Sequence, residues 1–102
     1  MNGKRQGPTP LGEALGRFLE DAGLAERIEE ASVVPEWEEL VGEAIAKVTR
    51  PTRVSHGTLF VAVRSSAWLM ELNMMRGEIL RRLNARKERG RIEQIRFFMG
   101  EE

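Results

Sequence analysis

Two hydrophobic rhythms divide the chain, one stepping by three and four residues, the other alternating. Leu11, Leu15, Phe18, Leu19 and Ala22 share one face of a predicted helix. Thr9-Pro10 ahead of them offers a threonine N-cap and a proline at the first helical position, where the missing N–H costs nothing. Gly23 suits a left-handed C-cap. A weaker repeat of Leu24, Ile28 and Ala31 predicts a short second helix. Val33-Val34-Pro35 is a break, because the residue before a proline is pushed away from helical geometry. Pro35 then opens the next helix, with Glu36, Glu38 and Glu39 where the helix dipole favours anions. Trp37, Leu40, Val41, Ala44 and Ile45 form its expected buried face. Gly42 inside this helix costs about 1 kcal/mol against alanine. Such a glycine suggests a close crossing by another element, or is simply tolerated.

From Val48 the period falls to two. Val48 to Ser55 reads as a strand, and its Pro51, unable to donate to a ladder, predicts an edge position or a bulge. His56-Gly57 is a two-residue hairpin signal. The return strand, Thr58 to Arg64, turns Leu59, Val61 and Val63 to the core and Phe60, Ala62 and Arg64 to the other side. Ser65-Ser66 offers the N-cap of the longest helix, about Ala67 to Glu88, whose stripe is Trp68, Leu72, Met75, Ile79 and Leu83. Gly90 ends it, and Arg91 to Met99 alternates as a closing strand with Ile95 and Phe97 on one face. The order α-α-β-β-α-β puts a crossover helix between the second and third strands. All helices are therefore expected on one face of a three-stranded sheet, an α+β domain of two layers. Residues 1–8, polar and with nothing to bury, read as a flexible tail, leaving 9–100 as one domain.

Composition narrows the function classes. Cysteine is absent from the 102 residues, which removes disulfides, thiolate metal sites and cysteine nucleophiles. No apolar run approaches the ~20 residues of a membrane span, and no apolar segment follows Lys4 and Arg5 as a secretory signal would require. A cytoplasmic address is the expectation. Net charge is zero, yet residues 1–43 carry four Lys/Arg against ten Asp/Glu, whereas residues 44–100 carry twelve against four. Such a division either serves two kinds of partner or neutralises itself within the fold.

Catalytic groups are sparse. His56 is the sole histidine and Asp21 the sole aspartate, so a Ser–His–Asp triad would need these two to meet across the sheet. Walker-type and G-x-G-x-x-G loops are missing, and no cofactor or small-molecule substrate is implied. Arg76, Arg81, Arg82, Arg86, Lys87, Arg89 and Arg91 crowd the second half of the long helix and the loop after it. They are candidates for nucleic-acid phosphates or an acidic partner; the plainer reading is complementation of the helix dipole. Met70 and Met74 lie one turn apart, off the core stripe, and would form a docking patch if exposed; Trp68 reads as core or as an interface anchor. Phe60, Phe97 and Phe98 would give bases a stacking surface if any lies on an open sheet face, with core packing expected for at least one.

Several stretches together resemble the DciA family, also called domain of unknown function 721. They are Trp37-Glu38-Glu39-Leu40-Val41-Gly42, Thr49-Arg50-Pro51, Gly57-Thr58-Leu59-Phe60-Val61, Ser65-Ser66-Ala67-Trp68-Leu69-Met70-Glu71-Leu72, Ile79-Leu80-Arg81-Arg82-Leu83-Asn84, and Ile92 to Gly100. The clearest likeness covers 37–100. It implies a KH-like domain without the KH nucleotide clamp; no two glycines here stand three apart, as a GXXG loop requires. It implies a non-catalytic bacterial accessory protein that binds the DnaB-type replicative helicase and assists its loading on DNA, with single- or double-stranded DNA as a further partner. Trp37, Gly42, Gly57, Trp68, Leu72 and Leu83 would then be fold-maintaining motif residues. Many relatives carry a long basic extension beside the domain; the sequence here ends two residues after Gly100, so helicase contact is expected from the folded domain. The alternative is a KH-like nucleic-acid-binding module that acts without a helicase.

Overall fold

The computed structural model describes residues 10–100. The expected tail and the Thr9 cap lie outside the described residues. Helices α1 (Pro10–Asp21), α2 (Leu24–Ala31), α3 (Trp37–Val41) and α4 (Glu43–Ala46) precede strands β1 (Thr49–Ser55) and β2 (Thr58–Val63). Helices α5 (Ser66–Met74) and α6 (Arg76–Asn84) then cross over to strand β3 (Gln94–Met99). The sheet order is β1-β2-β3, with β1 antiparallel and β3 parallel to β2. Helices α3 to α6 cover one face of the sheet, an α+β arrangement consistent with a KH-like fold. Between the layers Leu59, Val61 and Val63 of β2 meet Leu72, Ile79 and Leu83 of the crossover and Trp37, Val41 and Ile45 of α3 and α4.

Local chemistry explains the joints. His56 and Gly57 take φ of +51° and +80°, the paired positive values that a tight two-residue hairpin needs to match strand twist. Pro51 stands on an edge strand, and the register with β2 shifts between Pro51 and Arg53, so both devices expected for this proline are used. The Ser65 hydroxyl accepts the Trp68 N–H at 3.2 Å and caps α5. Gly23, at φ +74°, turns the chain between α1 and α2.

Elsewhere the tertiary structure departs from the periodic reading. The helix expected through Trp37 and Ile45 is two short helices, broken at Gly42, where φ +94° and ψ +161° lie in a region essentially confined to glycine. Nothing lies within 4 Å of a Cβ built on Gly42, so the corner itself requires the glycine and no element crosses there. Ala44, placed in the buried face, is exposed. The long helix expected over 67–88 bends at Met75, whose N–H donates to the Leu72 carbonyl at 3.0 Å, and it stops at Asn84. Leu72 and Ile79, on either side of it, are both fully buried. Gly90 therefore sits in a loop and not at a helix end, and β3 starts at Gln94 rather than Arg91.

The largest departure concerns the first helices. Neither α1 nor α2 has a buried residue. Leu11, Leu15 and Phe18 are 79%, 55% and 60% exposed, so the α1 stripe does not join the layer over the sheet. That layer is already filled by α3 to α6, and α1 packs chiefly against α2. The molecule is accordingly long, 61 × 25 × 24 Å.

Candidate partner and nucleic-acid interfaces

The basic residues of α6 and its following loop have divided duties. Lys87 is nearly buried; its Nζ donates to the Glu29 carbonyl and, at 3.0 Å, to the Ser32 hydroxyl, which ties the loop to the end of α2. Arg89 pairs with Glu20 of α1. The hydrogen bond to Glu20, and then the charge of Glu20, hold the Arg89 pKa above its ordinary value. Arg91 donates at 3.5 Å to the carbonyls of Asn84 and Lys87, bracing the loop from within. Arg82 reaches the Val41 carbonyl at 3.4 Å and Glu78 at 3.3 Å, and Arg81 also pairs with Glu78 one turn away. Arg76 and Arg86 have no hydrogen bond or ion pair among the described residues and project as exposed cations. Part of the sequence's charge division is thus spent inside the molecule, where the acidic first helices are held by the basic loop.

Gly90 marks the closest approach. At φ +67° it lies under α2 so tightly that a Cβ there would stand 2.5 Å from the Glu29 Cβ and 2.8 Å from the Glu26 carbonyl oxygen. Beside this seam Arg82, Arg86 and Lys87 face Glu29, Glu36 and Glu39 across a groove of about 530 Å³. Periodicity missed a second joint, at Asn84. This buried side chain accepts the Ile92 N–H at 2.7 Å and donates to the Ile92 carbonyl at 2.8 Å, pairing with backbone as a neighbouring strand would. A polar residue directly after Leu83, the last position of the core stripe, was the only signal.

Met70 and Met74 are 69% and 76% exposed on α5, side by side one turn apart. Trp68 is half-buried against the core and borders a shallow depression of about 380 Å³ with Ile45, Ala67, Glu71 and Met75. Of the other motif residues, Trp37, Leu72 and Leu83 are core. The Trp37 indole N–H donates to the Thr49 hydroxyl at 2.9 Å, which donates to the Ile45 carbonyl at 2.7 Å, joining α3, α4 and β1.

Opposite the helices lies the open face of the sheet. Strand alternation brings Arg53, Phe60 and Arg96 into one row across the three strands and Arg50, Ala62 and Phe98 into the next. The Arg53 guanidinium carbon stands 4.1 Å from the centre of the Phe60 ring. Phe97, by contrast, packs against the core. The arginines of this face were not among the sequence candidates, because which residues join Phe60 and Ala62 depends on strand pairing and register.

Among the described residues no group of three or more His, Cys, Asp or Glu side chains is placed to hold a metal ion, and no helix is long and apolar enough to cross a membrane. His56 is exposed in its turn, its Nδ1 3.1 Å from the Ser55 hydroxyl; no hydrogen bond or ion pair joins it to Asp21.

Fold and surfaces define a KH-like α+β domain whose chemistry lies on its exterior. Comparison with known proteins gives the particular lineage. A family model described as "Dna[CI] antecedent, DciA" matches residues 10–97, so the matched stretch includes the acidic first helices. The chain is similar to a UPF0232 protein of Mycobacterium tuberculosis (strain ATCC 25618 / H37Rv), 35% identical over 76% of this chain and 42% of the relative. A UPF0232 protein of Rhodococcus jostii (strain RHA1) is 32% identical over 87% of this chain and 47% of the relative. The chain belongs to the DciA family. It spans less than half the length of these curated relatives.

Proposed function

We propose that this chain is a DNA replication accessory protein that binds the DnaB-type replicative helicase and assists its loading on DNA, performing no bond-making of its own. The observation that carries the reading is the family match across residues 10–97. The surface supports it. Met70 and Met74 stand out from α5 with no apolar cover, and adaptable thioethers of this kind suit protein docking. The stripe of Leu11, Leu15 and Phe18 on α1 adds a second unpaired apolar face, flanked by Glu13 and Glu20. Arg76 and Arg86, which have no hydrogen bond or ion pair among the described residues, with Arg81 and Arg82 beside them, would meet DNA phosphates or acidic patches on the helicase; Lys87, Arg89 and Arg91 would keep the loop in place.

The test is capture of the cognate hexameric helicase on immobilised protein at low salt. Retention of the helicase, weakened several-fold by joint Met70→Ser and Met74→Ser, is the expected result. No association under those conditions would refute the reading. A KH-like nucleic-acid module acting alone is the second reading, favoured by the arginine-bearing open sheet face.

A further inference from the structure

We infer that the outer edge of β3 is a self-association site, where a second copy of this chain adds its own β3 antiparallel and the two sheets become one. The inference does not depend on the helicase reading. It starts from backbone direction. The Gln94 N–H donates to the Gly57 carbonyl and the Gly100 N–H to the Val63 carbonyl, both at 3.2 Å. Backbone groups alternate between the two edges of a strand, so those of Ile95, Phe97 and Met99 aim away from β2. Among the described residues no backbone hydrogen bond reaches that outer edge. Bare edges invite pairing with another chain, and most sheets blunt them. The opposite edge of this sheet is blunted: β1 carries Pro51 and a register shift, and α2 packs against it. β3 has no proline, pairs with β2 without a shift along its whole length, and is rich in strand formers. It also leaves apolar surface in water, with Phe98 39% and Met99 51% exposed.

Register identifies the occupant. Opposed residues of an antiparallel pair share a sheet face, and outward backbone groups must meet outward ones. A twofold axis through Phe97, perpendicular to the sheet, meets both conditions. Phe97 then faces Phe97 of the second copy, Ile95 faces its Met99, and both helix layers stay on one side. The pairing closes about six backbone hydrogen bonds and extends the apolar row under the helices. On the open face the same register sets Arg96 opposite Phe98 of the second copy, and the reverse. That is the cation-on-ring relation that Arg53 and Phe60 already make within one chain. Centring on Arg96 instead would oppose two guanidinium groups directly. At one register, therefore, β3 complements itself in charge, apolar pattern and hydrogen bonding together. A contact of one short strand is well below the ~1,600 Å² of a standard interface, so the dimer should be weak, with Kd on the order of 100 µM.

Sedimentation equilibrium of this chain between about 10 and 1,000 µM is the test. Expected is a reversible monomer–dimer equilibrium without larger species, because pairing at β3 leaves only the blunted β1 edges. Met99→Pro removes an outward N–H that β2 does not use, and should weaken association at least about tenfold with melting unchanged. Phe98→Glu sets a carboxylate opposite Arg96 and should tighten association about threefold, whereas Phe98→Lys should loosen it. Amide hydrogen exchange on the unaltered chain reads the same contact without any substitution. Protection at Ile95, Phe97 and Met99 should rise with concentration, while Arg96 and Phe98, aimed at β2, stay constant. A chain that stays monomeric to the highest concentration overturns the proposal and leaves the edge to a strand of another protein. Association that Met99→Pro leaves intact, or protection that rises elsewhere and spares Ile95, Phe97 and Met99, also overturns it by placing the contact on another surface, such as the α1 stripe.

Discussion

Replacing Asn84 with alanine isolates one joint of the fold. The Asn84 amide makes two hydrogen bonds, at 2.7 and 2.8 Å, to the N–H and carbonyl of Ile92, and all the groups involved lie out of water. Alanine removes both partners at once and strands two buried backbone groups. Each net hydrogen bond is worth about 1 kcal/mol, and an orphaned buried group costs about 1–3 kcal/mol when water cannot replace its partner. The loss should therefore be about 2–4 kcal/mol, since partial rehydration of the 85–93 loop limits the higher sum. For a domain of this size that is a fall in Tm of roughly 10–20 °C. Urea unfolding followed by circular dichroism reads the change directly, with an unaltered m-value showing that the unfolded state is unchanged. Asn84→Asp sharpens the test, because it keeps the acceptor for the Ile92 N–H but sets a carboxylate against the Ile92 carbonyl; it should be at least as damaging. Were Asn84→Ala to cost under about 0.5 kcal/mol, the side chain would not be holding the loop, and its role as a substitute strand partner would be refuted.

Further outcomes follow from the glycines and the surface. Gly90→Ala forces a methyl group into the Glu26–Glu30 backbone of α2 at a positive φ, and should cost about 2–3 kcal/mol; wild-type thermal stability would contradict that close approach. Gly42→Ala has open space but an unsuitable backbone, and should lose about 1–3 kcal/mol. Gly77→Ala, inside α6 with nothing within 4 Å, should gain about 0.5–1 kcal/mol; a pair of changes with the same sign would contradict the assignment. Met70→Ser with Met74→Ser should move stability by less than about 0.5 kcal/mol, because both side chains are already solvated, while weakening helicase capture; a large drop in Tm would show that they are packed after all.

Segments governed by short-range rules were legible in advance. The hairpin at His56-Gly57, the inner face of β2, the Ser65 cap and the edge position of Pro51 each follow from a few neighbouring residues and their allowed backbone angles. The candidate surface was legible in part. Period-four spacing put Met70 and Met74 off the core stripe, and both are exposed. The basic run from Arg76 to Arg91 was visible as charge, but nothing in the run says that Lys87 is clamped by Glu29 and Ser32 while Arg86 is left to solvent. Those assignments depend on partners more than fifty residues away.

By itself the sequence determined the element types, the two-layer α+β class and the residues able to form its core, because the helical period and strand alternation are local properties of side-chain direction. Only the tertiary structure decided which apolar stripes are buried. The α1 stripe has the same spacing as the core stripe of the crossover helices, yet the sheet offers one covered face and α3 to α6 fill it. It also decided the breaks at Gly42 and Met75 and the gathering of Arg50, Arg53, Phe60, Arg96 and Phe98 on the open side of the sheet. Such placements follow from strand pairing and from competition among elements for a limited interior, and no local pattern encodes the outcome of that competition.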